Sequence, residues 1–248
     1  MVQLKSKSEI EQMRKAGAIV GQILNELGEM VKPGVSTADL DLFSQLRAKE
    51  FGAKLAFKGY QGYPFTLCTS VNDEVVHTFP SERLLVEGDI ISLDLGLIWQ
   101  GWQSDSAITV AVGAISKEAE KLIKITEEAL WKGIEQVKPG NTIGDIGAAI
   151  QKYAEKAGFG VVRDLTGHGI GRKLHEPPAI PNYGKPHRGL TLQKGMVIAI
   201  EPMLTLGDYQ VETDKTDHWT IRTCDGSWAA QFEHTVAITD HGHRVLTA

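Results

Sequence analysis

The chain has 248 residues, of which 42% are hydrophobic and 23% charged, and its formal net charge is −5. That is the composition of an ordinary globular protein of one large or two small domains, and it excludes a polybasic nucleic-acid footprint. Two cysteines, Cys68 and Cys224, are too few for a disulfide framework and form no CxxC pair. No stretch of about 18 apolar residues exists, so no membrane helix is expected. The opening residues 1–7 lack the apolar centre of a signal peptide, and the expected location is cytoplasmic.

Ser8 and Glu11 are spaced as a capping box opening the first helix. Ile10, Met13, Gly17, Val20, Leu24 and Leu27 then recur every three or four residues as its inward face, and Pro33-Gly34 closes it. Ser36 and Asp39 open a second helix, with Leu40, Phe43 and Leu46 inward and an end near Gly52. A loop rich in Gly and Tyr (residues 59–64) leads to a strand around 66–71. Two apolar runs, 89–99 and 102–112, flank Gln100-Gly101 and read as a hairpin. Helices follow over about 117–137 and 143–157, separated by Pro139-Gly140.

The order repeats. Residues 31–41 (VKPGVSTADLD) resemble residues 137–147 (VKPGNTIGDIG), and EGDIISLD at 87–94 resembles KGMVIAIE at 194–201. The two offsets are nearly equal, and no Ser/Pro-rich linker intervenes. The expectation is one domain over 1–248, built from two halves of roughly 1–112 and 113–248. Asp94 and Glu201 then occupy matching strand ends, where a buried carboxylate is costly unless paired or bound to metal.

The hairpin register places Trp99 opposite Trp102 and Gly96 opposite Asp105. Strand alternation puts Asp94 on the face of Gly96, so Asp94 and Asp105 become diagonal neighbours roughly 7–8 Å apart. Two anions there repel unless a cation lies between them. Glu201 ends another apolar run before Pro202, and Glu233 lies in QFEHTVAI. The stretch GHGIGRKLHEPP (167–178) fits neither strand nor helix periodicity, and its glycines suit a turn that aims His168 and His175 at a ligand. One imidazole with four carboxylates suits Mn, Fe, Co or catalytic Zn rather than structural zinc. That much negative charge fits two ions about 3.5–4 Å apart better than one.

These residues resemble the type I methionine aminopeptidase family. The likeness rests on SVNDEVVH (70–77), Asp94 and Asp105, GHGIG with His175-Glu176-Pro177, Glu201-Pro202, and QFEHT (231–235). The resemblance implies an α+β "pita-bread" fold, two pseudo-symmetric halves whose curved antiparallel sheet is covered by helices. It implies hydrolytic removal of the initiator methionine from peptides and nascent chains when the second residue is small. Asp94 would hold one of two divalent ions (Co, Mn, Fe or Zn), Asp105 and Glu233 would bridge, and His168 and Glu201 would complete the other. A metal-bridging hydroxide would attack the scissile carbonyl. Glu201 would shuttle the proton, His175 would stabilise the oxyanion, and His77 would contact the scissile amide. Tyr60, Tyr63, Cys68, Leu174 and Trp219 would form the methionine pocket. Family members often carry Phe where Leu174 stands and Cys where Phe57 stands, which leaves the pocket's shape open.

A sister enzyme acting on Xaa-Pro bonds shares the fold, but its family usually carries an extra N-terminal domain. A non-catalytic binding module should have lost ligands, and all five are present. A monomer is expected, and any ribosome contact must use the domain surface. The polar segment 208–218 has no placement beyond a surface loop at the site's rim. His187, His218, His234, His241, His243 and Cys224 have no assigned role, with strand alternation turning His234 away from Glu233.

Overall fold

The computed structural model describes residues 2–248. The chain begins with α1 (Lys7–Met30), α2 (Thr37–Glu50), β1 (Lys54–Leu55), β2 (Leu67–Val71), β3 (Glu74–Val76), β4 (Ile90–Trp99) and β5 (Trp102–Ala111). It continues with α3 (Lys117–Ile134), α4 (Ile143–Ala157), β6 (Gly160–Val161), β7 (Thr166–Gly169), β8 (Glu176–Pro181) and β9 (Val197–Ile200). Six short strands close it: β10 (Met203–Thr205), β11 (Val211–Thr213), β12 (Ile221–Thr223), β13 (Ala229–Gln231), β14 (His234–Ile238) and β15 (His243–Val245). The architecture is α+β with antiparallel sheets, as expected. No helix among the described residues is long and apolar enough to cross a membrane.

Local chemistry explains the helix ends. Ser36 and Thr142 each close a capping box, with Asp39 and Asp145 as partners, at the two sites read from the repeat. Around them the backbone pairs alike: Ser36 bridges Leu84 and Thr142 bridges Thr191, while Gly34 N–H donates to Leu85 O and Gly140 N–H to Leu192 O. Gly34 and Gly140 both have positive φ, near 90°, which glycine alone adopts freely.

Two expectations are corrected here. The capping box of α1 is Ser6 with Glu9, not Ser8 with Glu11. Both pairs have the spacing, but Glu11 instead takes Arg14, 2.7 Å away. Leu46 is exposed rather than inward. The buried face of α2 runs through Leu40, Asp41, Ser44 and Ala48 because the Asp41 carboxylate accepts the N–H groups of Thr66 and Leu67, at 2.8 and 3.0 Å. That bond fixes the entry of β2 and rolls the helix.

The sheets place the site. In the first, β4 carries β5 along one edge and β1 and β2 along the other. In the second, β15, β14, β9, β7 and β8 follow in order. The two meet at a seam where Ala107 of β5 bridges Glu233, just before β14. Side-chain hydroxyls stitch it: Ser106 Oγ donates to Glu233 O (2.6 Å), Thr109 Oγ1 to Gln231 O (2.6 Å) and Thr235 Oγ1 to Asp105 O (2.8 Å). Hydroxyls satisfy buried backbone groups where a regular ladder stops.

Helices α1 and α2 cover the first sheet, and α3 and α4 pack beside the second, each over its own cluster of buried Leu, Ile and Val. Gly17 of α1 lies directly against the carbonyl of Leu246, which a Cβ would strike. Gly17→Ala is therefore expected to lower unfolding stability by about 1–3 kcal/mol, the usual cost of overpacking. Urea denaturation of the metal-free variant and its parent checks this; an unchanged midpoint would show that the chain end yields freely.

Candidate active site

The hairpin register is as the sequence predicts: Trp99 faces Trp102 and Gly96 faces Asp105. The tight turn has positive φ at Gln100 and Gly101. Asp94 and Asp105 therefore share a face, and Cys68 of β2 lies across from Asp94. The seam brings Glu233 beside Asp105. Glu201 follows β9 directly, and its carbonyl accepts Asn182 Nδ2 at 3.0 Å.

His168 arrives differently from expectation. It lies on β7, a strand paired with both β8 and β9, with a bulge between His168 and Gly169. Neither Gly167 nor Gly169 has positive φ. Their missing Cβ atoms instead make room for the carbonyls of Ala199 and Pro177 on the flanking strands. The glycines let three strands close together around His168. Its Nδ1 donates to Gly169 O at 2.9 Å, which leaves the Nε2 lone pair facing Glu201 Oε1 (3.6 Å) and Asp105 Oδ2 (4.0 Å).

All five expected ligands, with His77, His175, Tyr60, Tyr63, Cys68, Leu174 and Trp219, line one cavity of about 170 Å³. Phe57 and Gln61 complete its wall. Gln61, with φ of 49°, was not anticipated, although it sits between the flagged Tyr60 and Gly62. Phe65 and Phe79 were also missed. Both rings pack on Tyr63, which stands edge-on to Trp219 at 5.2 Å. Phe79 is two residues beyond His77, a spacing that could have flagged it. The Phe57 ring fills the space over Gly96 that a Cβ would need.

The segment 208–218 is not a plain loop. Its β11 pairs with β12, and β12 with β3. Asp217 accepts the N–H groups of Trp219 (2.8 Å) and Thr220 (2.9 Å), and so turns Trp219 towards the cavity. His234 points away from Glu233, with Nδ1 2.9 Å from Thr247 Oγ1. The thiol of Cys224 is free and exposed.

The electrostatics are severe. Asp94, Asp105, Glu201 and Glu233 are all pushed up in pKa, first by burial. The charge of Asp94 adds to the shift at Asp105, Glu201 and Glu233. Asp94 reaches about 7. Burial, then the charge of His175, lowers both His168 and His77 to about 4, so both rings are neutral near pH 7. Burial and then Asp94 push the Cys68 thiol up, which keeps it protonated.

The residues fit a metal. Donor atoms of Asp105, His168 and Glu233 lie within 4.8 Å of one another. Asp94 Oδ1, Asp105 Oδ1 and Glu233 Oε1 are buried without any hydrogen-bond partner. Orphaned carboxylate oxygens are expensive, and a divalent cation is the partner that satisfies several together.

Hard oxygen donors around one neutral imidazole, beneath an aromatic slot, are the chemistry of a metal-dependent hydrolase. The chain belongs to metallopeptidase family M24, whose model matches residues 11–240. It is 53% identical to a methionine aminopeptidase of Clostridium acetobutylicum, over 100% of this chain and 99% of the relative. It superposes on the methionine aminopeptidase structure from Rickettsia prowazekii with a TM-score of 0.99 and 41% identity, over 100% of both chains. An Xaa-Pro dipeptidase from Bacillus anthracis shares the fold, with a TM-score of 0.77 and 23% identity, over 98% of this chain and 61% of that one. The pita-bread fold inferred from sequence is thus the fold of these metallopeptidases.

Metal and pH should be coupled. A carboxyl whose folded pKa is raised favours the folded state below its unfolded value near 4, and that contribution is lost as pH rises through the folded value. For Asp94 the window is about pH 4 to 7. The rise in melting temperature on adding Mn²⁺ to metal-free protein should therefore grow between about pH 5.5 and pH 8. A rise independent of pH, measured by calorimetry, would contradict the shared burial of these acids.

Proposed function

We propose that this protein removes the N-terminal methionine from peptides and nascent chains by metal-dependent hydrolysis. The observation that carries it is the convergence of Asp94, Asp105, His168, Glu201 and Glu233 on one cavity that also opens on an aromatic slot. Full-length identity to methionine aminopeptidases supports it.

In the proposed site, Asp94, Asp105, His168, Glu201 and Glu233 would hold two divalent ions, with Asp94 on one, Asp105 and Glu233 shared, and His168 and Glu201 on the other. When bound, such ions supply a water nucleophile at neutral pH and polarise the scissile carbonyl. Glu201 receives the proton of the attacking water. The Tyr60 hydroxyl, 2.8 Å from His175 Nδ1, orients that ring, so Nε2–H donates into the cavity where the oxyanion develops. Neutral His77 lines the same cavity and would contact the scissile amide. The slot of Tyr63, Leu174, Trp219, Phe57 and the uncharged Cys68 thiol suits a thioether. The proposed activity includes a preference for substrates whose second residue is small.

The proposal extends to organisation. The chain acts as one catalytic domain of two halves, roughly 1–112 and 113–248, with the ligands divided between them. It works in the cytoplasm as a monomer, and any contact with ribosomes uses its surface.

Activity on Met-Ala-Ser and on Xaa-Pro peptides, each with added Mn, Co, Fe or Zn, separates the readings. Methionine release from the first is expected, and cleavage of the Xaa-Pro class alone would refute the proposal. Asp105→Ala and His168→Ala should each lose metal and at least about 100-fold in activity together. Unchanged metal content in both would refute the ligand assignment.

A further inference from the structure

Trp219 and His77 approach each other across the slot, with ring centroids 6.3 Å apart. Each stands three residues from a partner in one ion pair: His77 follows Glu74, and Trp219 precedes Arg222. Strands β3 and β12 pair antiparallel, Val76 with Ile221 and Glu74 with Arg222, with a bulge between Ile221 and Arg222. The shared end of these strands therefore delivers both rings to the slot.

Glu74 is buried, and its carboxylate is fully used. Oε2 accepts Val71 N–H at 2.8 Å, and Oε1 meets Arg222 Nη2 at 3.0 Å and Arg83 Nη1 at 3.2 Å. Arg222 also reaches Asp73 Oδ2 (Nη1, 3.3 Å) and Asp214 Oδ2 (Nε, 3.4 Å). One guanidinium thus joins the turn between β2 and β3 to both strands of the rim hairpin. The planar fork of arginine suits such multiple acceptors in a way the point charge of lysine does not. The hairpin has only three residues in each strand, so backbone pairing alone holds it weakly.

We propose that Arg222, acting through Glu74, is a positioning residue that fixes the separation of Trp219 and His77 and so sets selectivity for the methionine side chain. The substrate named here rests on the aminopeptidase reading. Loss of Arg222 leaves Glu74 with Arg83 and the Val71 N–H, so no buried charge is abandoned and the fold survives. The hairpin loosens instead.

Arg222→Met and Arg222→Lys test it in the metal-loaded protein. Arg222→Met should raise KM for Met-Ala-Ser about tenfold, with a smaller fall in kcat because His77 loses support along with Trp219. It should also weaken the preference for Met-Ala-Ser over Leu-Ala-Ser, and Arg222→Lys should recover part of both. An unchanged KM and preference, or joint loss of kcat and metal, would overturn the proposal. Limited proteolysis reads the clamp without substrate: cleavage within 208–218 should be faster in Arg222→Met than in the parent, and equal rates would overturn the clamp. A parent that releases no methionine sinks the aminopeptidase reading instead, and proteolysis then decides the clamp alone.

Discussion

Three buried carboxylates, with the partly buried Glu201 beside them, meet at one seam between two sheets, and the rest of the fold is arranged to hold them there. Repulsion between such groups, with little water to screen it, would open the site unless protons or cations fill it. Burial raises the pKa of all four acids, and neighbouring carboxylate charge adds to the shift at Asp105, Glu201 and Glu233. Three of their oxygens lack any hydrogen-bond partner. Membership of a metallopeptidase family and the compact Asp105–His168–Glu233 triad point to the same resolution.

Holding anions together requires a rigid frame. The hydroxyls of Ser106, Thr109 and Thr235 bind backbone carbonyls across the seam, so β5 and β14 cannot slide against each other. A slip of one residue would turn Asp105 out of the cavity. On the far side, the glycines of β7 allow three strands to close around His168. The His175 loop is pinned as well. Glu176 accepts the N–H groups of Arg172 and Lys173 and pairs with the buried Lys5 ammonium at 2.8 Å. The residue just ahead of the first helix cap is thereby tied to the loop that carries His175.

Much of this was legible in the sequence, for reasons of length and local chemistry. The long helices and the ten-residue hairpin strands gave clear periodicity, and the Gln100-Gly101 turn fixed the register that makes Asp94 and Asp105 neighbours. The repeated Val-Lys-Pro-Gly segments located two capping boxes correctly. Strands of two to six residues, such as β6, β7, β8, β11 and β12, are too short to show alternation. The sequence therefore suggests a turn at His168 and a loop over 208–218. Competing caps defeated local reasoning at Ser6 and Ser8. At Leu46, a tertiary bond from Asp41 overrode the apolar pattern. Phe65 reaches Tyr63 only through folding and nothing local marks it, whereas Phe79 and Gln61 have only their nearness in sequence to His77 and Tyr60 to mark them.

Protons should occupy the acid cluster until a divalent cation displaces them. Calorimetric titration of metal-free protein with Mn²⁺ at pH 7, repeated in two buffers of different ionisation heat, counts those protons directly. The account predicts Mn²⁺ uptake with release of about one proton or more per chain, abolished in Asp105→Ala. Binding without proton release, or no binding, would contradict it.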